Sequence, residues 1–428
     1  MDLLKEVFRH DVQPARGCTE PAAIALACSK ALAAANNNQT DSNTVISEVH
    51  VTINPGILKN AMGVIIPNSQ GEKGCAMAAA LGVLGGDSNA GLEVLHNIKP
   101  EHLTSARYLI KNEIVKVVVD KLLDDFYISA IVKTSSGLGH VVIKGGHTNI
   151  TLIECDKRII YEADISASVD NSSHAKMKEA LFEMTIDNLV ELAKNMDESD
   201  REHVRSGITM NLTAAAAGRE LGKYGSILAD KINGSHNLIE TSSVLTACAT
   251  DARMSGANLS VMSSGGSGNQ GVITILVPYN VGKSNDVAEK IIEESIALAH
   301  LVNSYIKVFT GDLSPICGCA ISAGVGAAAA IVYQSGKLDK IGMAINTTIS
   351  GIAGILCDGA KCGCTLKVLP SVASCIHAAN FAINDLGASE NDGIIGCTPE
   401  ISIHNLGKIC KSILPVDNVL IEIMTDKT

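Results

Sequence analysis

The sequence predicts an α+β protein: a mainly helical body whose small-residue helices carry clustered cysteines, plus a mixed α/β unit inserted near the N-terminus. Three observations lead there. Between residues 46 and 165 short apolar runs alternate at period two, whereas from about 175 onward the apolar positions recur at helical spacing. At 428 residues the chain exceeds the length at which a single core stops growing, so two structural units are expected. Hydrophobic residues make up 46% of the chain, but aromatics only 3% with no Trp, so the core must be closely packed Ala, Ile, Leu and Val. Residues 1–45 are expected to supply N-terminal helices that join the helical body, 46–165 the mixed unit, and 166–428 the cysteine-bearing helical domain.

Residues 2–10 read as an amphipathic helix start without the apolar run of a secretory signal. A loop from Asp11 to Gly17 follows, and Cys18-Thr-Glu-Pro then opens a run of strong helix formers from Ala22 to Ala35. Thr19 is the expected N-cap, with Glu20 and Pro21 in the first turn, where proline removes no helical hydrogen bond. After the polar break 36–43, Val45 to Ile53 alternates as a strand, and Met62 to Pro67 suggests another. Asn68 to Cys75 is a turn-rich loop that opens an Ala-rich helix, and the segment 91–120 carries no decisive signal. Phe126–Lys133, His140–Lys144, Thr148–Glu154 and Arg158–Tyr161 read as successive short strands, with turns at Gly137, Gly145-Gly146 and Asp156. Helices are expected at 175–196, 200–216, 220–232, 238–252 and 284–306. Small-residue helices continue from 320 to about 386, and a short tail closes the chain.

The balance of 34 Lys and Arg against 45 Asp and Glu gives a net charge of -11, which disfavours nucleic acid and anionic membrane as partners. Two uncharged stretches, Leu313 to Gly336 and Met254 to Gly282, have the length of a membrane span. Pro315, Ser322, Gln334 and several glycines interrupt the first, and Gly, Ser and Asn crowd the second, so they read as a buried helix and a ligand loop. A cytoplasmic protein is expected, with a homodimer as its assembly.

Thirteen cysteines, an odd number in a long core-forming chain, point to a metal site or thiol chemistry rather than a disulfide framework. Cys357-Asp-Gly-Ala-Lys-Cys-Gly-Cys364 places three thiols and a Lys-Asp pair in one loop, and Ser314-Pro-Ile-Cys317-Gly-Cys319 lies about forty residues upstream. The small-residue segment 321–356 suits two packed helices that bring these loops together. Zinc and an iron–sulfur cluster both fit the spacing; a cluster held by three thiolates would leave one iron open to substrate. Cys18 is a separate candidate. A helix N-terminus stabilises a thiolate and Arg16 is close in sequence, although a small buried side chain at a helix entry is the structural alternative.

Ser263 to Gly271 contains Gly266-x-Gly268-x-x-Gly271, the spacing of a dinucleotide fingerprint. That motif follows a strand and opens a helix, whereas here the strand-like run Val272 to Pro278 comes after it, so NAD is not expected. No Walker sequence is present. The loop offers free backbone N–H groups with Ser267, Asn269 and Gln270 as side-chain donors, suited to a substrate carboxylate, or else its glycines serve close packing. His147, in Gly145-Gly-His-Thr-Asn149, is a further candidate donor, with a structural role as the alternative.

Together Arg16-Gly-Cys-Thr-Glu-Pro-Ala-Ala23, Gly145-Gly-His-Thr-Asn149, Gly266-Ser-Gly-Asn-Gln-Gly271, Cys317-Gly-Cys-Ala320 and Cys357-Asp-Gly-Ala-Lys361 with Cys364 resemble the L-cysteine desulfidase family, which is related to the iron–sulfur-dependent L-serine dehydratase α-chain. The resemblance covers essentially the whole chain. It implies a [4Fe–4S] cluster on Cys317, Cys357 and Cys364, with Cys319 and Cys362 as neighbours, and Cys18 as the catalytic base. It further implies a lyase that converts L-cysteine to pyruvate, ammonia and sulfide by α,β-elimination without pyridoxal phosphate. Ser267, Asn269, Gln270, His147 and Lys361 would contact the amino-acid substrate. Within this class, an L-serine dehydratase-like deaminase of another β-substituted amino acid is the alternative. Outside it, the alternative is a non-enzymatic zinc- or redox-binding protein.

Overall fold

The computed structural model describes residues 2–37, 44–123, 126–163, 173–257, 259–311 and 313–426. Among them are seventeen α-helices and a six-stranded mixed sheet, an α+β fold. Helix α1 (Leu3–Asp11) and strand β1 (Pro14–Arg16) lead to α2 (Thr19–Ala35). The α/β unit continues through β2 (Ile46–Ile53), α3 (Pro55–Ala61), α4 (Cys75–Gly85), α5 (Pro100–Lys111), β3 (Val115–Val119), β4 (Tyr127–Thr134), β5 (Leu138–Lys144), β6 (Ile150–Cys155) and β7 (Arg158–Glu162). The helical body comprises α6 (Ser173–Phe182), α7 (Ile186–Lys194), α8 (Glu198–Arg219), α9 (Tyr224–Lys231), α10 (Leu238–Met254), α11 (Gly268–Ser284), α12 (Glu289–Thr310), α13 (Ser322–Gln334), α14 (Ile341–Ile352), α15 (Thr365–Ile383) and α16 (Pro399–Ser412). Strand β8 (Ser260–Met262) precedes α11, and α17 (Val416–Thr425) returns to the α/β unit.

The sheet order is β3-β2-β4-β5-β6-β7, parallel between β2 and β3 and antiparallel elsewhere. Its alternation follows the pleat: Val49, Val51, Ile53, Ile128, Ala130, Val132, Val141 and Ile143 all point into one core, on which α2 and α4 lie. Helix α2 is almost wholly Ala and other small residues along its buried length, which lets backbones approach closely. A Cβ on Gly139 of β5 would overlap the Ala31 carbonyl, and one on Gly82 of α4 would overlap Ala25, so α2 is gripped between sheet and helix. It therefore packs in the sheet core and not, as expected, in the helical body, and the packing seam falls ahead of residue 19.

The second core is helical, with α12 buried along nearly its full length and α13 packed on it so closely that a Cβ on Gly326 would meet the Ala299 carbonyl at 2.5 Å. Four sequence expectations are corrected here. The stretch 175–196 is two helices, broken at Thr185, whose hydroxyl caps α7 by accepting from the Asn188 amide. The run Val272 to Pro278 is helix, not strand: Val272, Ile273, Ile275, Leu276 and Val277 are all buried, and a helix surrounded on every side shows the same continuous apolar run as a buried strand. Met62 to Pro67 forms no strand, only an isolated bridge between Ile65 and Lys73. The closing segment holds two helices, α16 and α17, instead of a tail.

Among the described residues one helical stretch, Cys362–Ile383, has the length and apolarity of a membrane span, but its Val368, Val372, Cys375, Ile376 and Ala379 pack in the helical core. Among the contacts that join the units, two are specific. β1 and β8 pair antiparallel, matching Pro14 with Met262 and Arg16 with Ser260. The second is an ion pair in which Lys59 of α3, 1% exposed, meets Asp417 of α17 at 2.7 Å. Removing one partner of such a pair strands a buried charge, so Asp417→Ala should lower unfolding stability by about 3–5 kcal/mol, and Lys59→Met with Asp417→Leu should recover most of it. Urea unfolding checks this; an Asp417→Ala protein as stable as the wild type would show that the pair tethers nothing.

Candidate active site

The two cysteine loops are brought together by backbone pairing. Ile316 and Leu356 form an antiparallel bridge; the Cys317 amide donates to the Ile355 carbonyl and the Cys357 amide to the Pro315 carbonyl, each at 2.8 Å. The Cys317 thiol consequently interacts with both Cys319 and Cys357; the contact with Cys319 and burial push it up to about 12, against the opposing pull of Cys357. Contact with Cys317 and burial likewise raise Cys357 well above the usual thiol range. Cys364 is raised by burial and by the nearby Cys357, against the opposing pull of the Lys361 amide and Arg253. Cys362 turns away and donates to the Met254 carbonyl at 3.4 Å.

The loop from Cys357 to Cys364 sits against α3 of the other unit. Gly359, with φ +86°, lies so close to the Lys59 carbonyl that any Cβ would overlap it. Positive charge surrounds the thiols: Lys59 acts on Cys357, Lys367 is near Cys317 and Cys357, and Lys361 and Arg253 face Cys364. Lys361 and Lys367 share Asp358 as ion-pair partner. Among the described residues no three His, Cys, Asp or Glu side chains are gathered around the position of a single ion. The donor chemistry fits a larger anionic group instead: adjacent thiols that are not joined as disulfides, each disfavoured as an isolated thiolate, with lysines placed to compensate several negative charges.

Cys18 is the N-cap of α2, one residue earlier than expected, and Thr19 is the first helical residue. The β1–β8 ribbon delivers it to the seam, where it packs with Val64, Met254, Ala360 and Cys364. Its thiol was expected to be shifted down. Burial pushes it well above its usual value instead; Arg253 works in the opposite direction, and Glu20 and Cys364 reinforce the rise. The expected cation, Arg16, pairs with Glu93 at 3.4 Å, and the cation that acts on Cys18 is Arg253, whose Nη2 is 4.0 Å from the sulfur.

Arg253 ends α10 and was missed in the sequence, where nothing marks it out from other arginines. Its Nη1 donates to Asn269 Oδ1 at 3.0 Å, at the start of α11. Asn269 is thus in the site, while Ser267 is the half-buried N-cap of α11 without a side-chain cap bond. Gln270 is buried with its amide against Gly318 of the first cysteine loop, 2.5 Å from where a Cβ would stand. The glycine loop ahead of them is held from behind: Lys307 donates to the Gly265 carbonyl, and Ser264 Oγ bonds His300 at 2.8 Å and Asn303 at 3.0 Å. Contrary to the expected order, a strand precedes the glycines and a helix follows them. The strand is a three-residue member of a two-stranded ribbon, however, and not part of a parallel sheet.

His147 reaches the site from the β5–β6 turn, its Nε2 2.9 Å from Thr19 Oγ1 and 3.7 Å from Glu20 Oε1. Asn60 donates to the same Glu20 carboxylate at 3.2 Å. A cleft of about 280 Å³ opens elsewhere, beside α1 at Phe8, Gln13 and His203, and no cysteine lines it. The candidate site lies at the thiols because among the described residues candidate nucleophile, acid–base and metal-ligating groups converge there.

The sequence model of the serine dehydratase alpha chain family matches residues 89–415. The chain belongs to that family. Relatives include a UPF0597 protein of Geobacter sulfurreducens, 43% identical over 433 residues covering 100% of this chain and 99% of that protein. Another, from Elusimicrobium minutum, is 41% identical over 432 residues and covers both chains fully. A third, from Clostridium tetani, is 38% identical, with 99% of this chain and 98% of that protein covered. Serine dehydratase-like proteins are enzymes of the lyase type, and the gathered thiols agree with the iron–sulfur dependence of that class.

Within this member of the family, Glu20 provides a pH test. Burial opposes its ionisation, but His147, the local backbone and Arg253 outweigh that and hold its carboxyl down at about 2 against an ordinary 4.5. The folded value is depressed, so the stabilisation is complete above pH 4.5 and is lost as the pH falls through about 2. By linkage it amounts to about 3 kcal/mol. Glu20→Gln should flatten that part of the stability–pH curve in urea unfolding; an unchanged acid limb would show that Glu20 is not held ionised.

Proposed function

We propose that the protein is an iron–sulfur-dependent lyase that converts L-cysteine to pyruvate, ammonia and hydrogen sulfide by α,β-elimination. One observation carries the reading: Cys18 packs against Cys364 and Ala360, so a thiol capable of proton transfer adjoins the loop of clustered thiols. In this reading Cys317, Cys357 and Cys364 hold a [4Fe–4S] cluster. When bound, the cluster supplies an iron with an open coordination position, a Lewis acid toward the leaving group.

The chain supplies the remaining functions. Cys18 removes the α-proton; the released electron pair forms the Cα–Cβ double bond while sulfide leaves Cβ. The aminoacrylate tautomerises to an imine, and water hydrolyses it to pyruvate and ammonia. Burial favours the protonated thiol, and the nearby charge of Arg253 pulls the other way, toward the base form. Asn269 and Gln270, with Ser267 at the N-cap, border the first turn of α11 as polar contacts for the substrate. His147, fixed by Thr19 beside Cys18, is a donor to it, and Lys361 lines the cluster side. The reading requires neither pyridoxal phosphate nor NAD, and the reaction belongs to cytoplasmic amino-acid degradation.

The family match favours a second reading, deamination of L-serine, for which the same groups serve. Anaerobic purification with iron and sulfide assays, followed by kcat/KM for L-cysteine and L-serine, separates the two. A colourless protein with stoichiometric zinc would remove both.

Variants should separate the two roles. Ser at Cys317, Cys357 or Cys364 should abolish the visible absorption, whereas Cys362→Ser should keep it. Cys18→Ala should retain absorption that still responds to added L-cysteine, while sulfide release falls roughly 10²–10⁴-fold, the usual loss of a positioned base. Full absorption in Cys357→Ser would sink the ligand set, and undiminished α-proton exchange in Cys18→Ala would remove it as the base.

A further inference from the structure

We propose that Arg253 anchors the α-carboxylate of the substrate, so that the site selects small monocarboxylic acids, α-amino acids among them, over the corresponding amines. The proposal deepens the lyase reading and concerns the same site.

Arg253 is 5% exposed, and among the described residues it forms no ion pair with a carboxylate. The contrast with Arg201 is direct. That arginine, 9% exposed, meets Glu293 at 3.1 Å and Glu294 at 2.9 Å. The Arg253 guanidinium has only neutral partners: Asn269 Oδ1 at 3.0 Å, the Met254 sulfur at 3.3 Å and the Cys18 sulfur at 4.0 Å. Its Nε is buried with no hydrogen-bond partner. Glu20 feels the charge of Arg253, but its oxygens are engaged by Thr19, Asn60 and His147, and it stays outside ion-pair distance.

The position is as telling as the missing partner. Arg253 Nε lies so close to Gly268 that a Cβ there would overlap it, and Gly268 begins α11, a helix of 17 residues. The positive end of a helix, with its unpaired first amides, attracts anions and disfavours a cation. A guanidinium held there without a counter-charge is unfavourable twice over. A carboxylate between the two relieves both, taking the guanidinium fork on one side and the α11 amides on the other. Two elements enforce the arrangement: α10 carries Arg253, and the β1–β8 ribbon sets Cys18 beside it. A carboxylate bound at Arg253 puts the adjoining Cα beside the Cys18 sulfur.

The test uses probes that cannot react. Calorimetric titration of anaerobically purified full-length protein compares L-alanine, propionate and ethylamine, which respectively keep both polar groups, only the carboxylate and only the amine. L-alanine and propionate should bind and ethylamine should not. Arg253→Gln should weaken both acids roughly 10- to 100-fold, the loss of a charge-assisted bond, and Arg253→Lys should fall between. Wild-type affinity for L-alanine in Arg253→Gln overturns the proposal, as does ethylamine binding that equals L-alanine, or no binding of either acid. Should Arg253→Gln fail to fold, a crystal of the wild-type protein with propionate decides: carboxylate on Arg253 supports the proposal, carboxylate elsewhere ends it. Propionate binding that depends on Arg253 in a protein without lyase activity would keep this proposal and remove the lyase; an active lyase whose Arg253→Gln variant binds normally would do the reverse.

Discussion

The site depends on a short antiparallel ribbon. Pro14, Ala15 and Arg16 pair with Met262, Val261 and Ser260, and each strand runs directly into a functional segment: Cys18 after one, the glycine loop and α11 after the other. The two cores contribute different parts of the site, α2 and α3 from the sheet side and α10, α11 and the cysteine loops from the helical side. The ribbon thereby sets the entry to Cys18 beside the glycine loop that leads to Gly268. Its support is polar and buried: Ser263 Oγ donates to the Asp11 carbonyl at 3.0 Å and accepts from the Gln13 amide at 2.9 Å, while Lys307 holds Gly265. Groups this well satisfied fix a loop in one geometry, as a site requires.

The seam between the cores gathers buried charged and thiol groups. Glu20, Lys59, Arg253 and the thiols would each destabilise the fold if left without partners; Glu20 is held by Thr19, Asn60 and His147, and Lys59 by Asp417. Lys59 of the sheet unit compensates Cys357 of the helical unit, and Asp417, from the last helix, compensates Lys59. The charge pattern thus ties the C-terminal helix to the cysteine loop. The arrangement gives up some stability in return for a defined site, a common balance where chemistry must occur out of water.

Much of this was legible in the sequence, and the failures have specific causes. Strands β4 and β5 showed because their inward residues are buried while others stay open, and β6 and β7 because turn signals bound short apolar runs; the cysteine loops showed because thiols at tight spacing have few structural reasons to occur. Helix α11 was read as a strand because total burial erases the helical stripe. The Cys18 environment was misjudged because sequence shows the helix N-terminus and the neighbouring Arg16 but not the burial, which dominates, nor that Arg16 is committed to Glu93. Arg253 left no signal, since what distinguishes it is the partner it lacks, and a missing contact is a property of the fold.

Discrimination between L-cysteine and L-serine has to arise away from Arg253. Both substrates carry the same carboxylate and α-amino group, so any contact at the α11 end binds them alike, and uniform binding selects neither. They differ only at the atom on Cβ, which must face the cysteine loops if Cα lies beside Cys18. There the surroundings are the buried thiols of Cys317 and Cys357, Lys59 and Lys367, and the Gln270 amide against Gly318, with its Oε1 buried and unpaired. A hydroxyl leaving group needs a strong donor to carry its charge away, whereas a sulfur leaving group tolerates a less polar setting and a softer partner. In the proposed reaction the choice of substrate would therefore rest with residues beside the clustered thiols, and the loop carrying Gly318 and Cys319 would be where a change of leaving group is encoded.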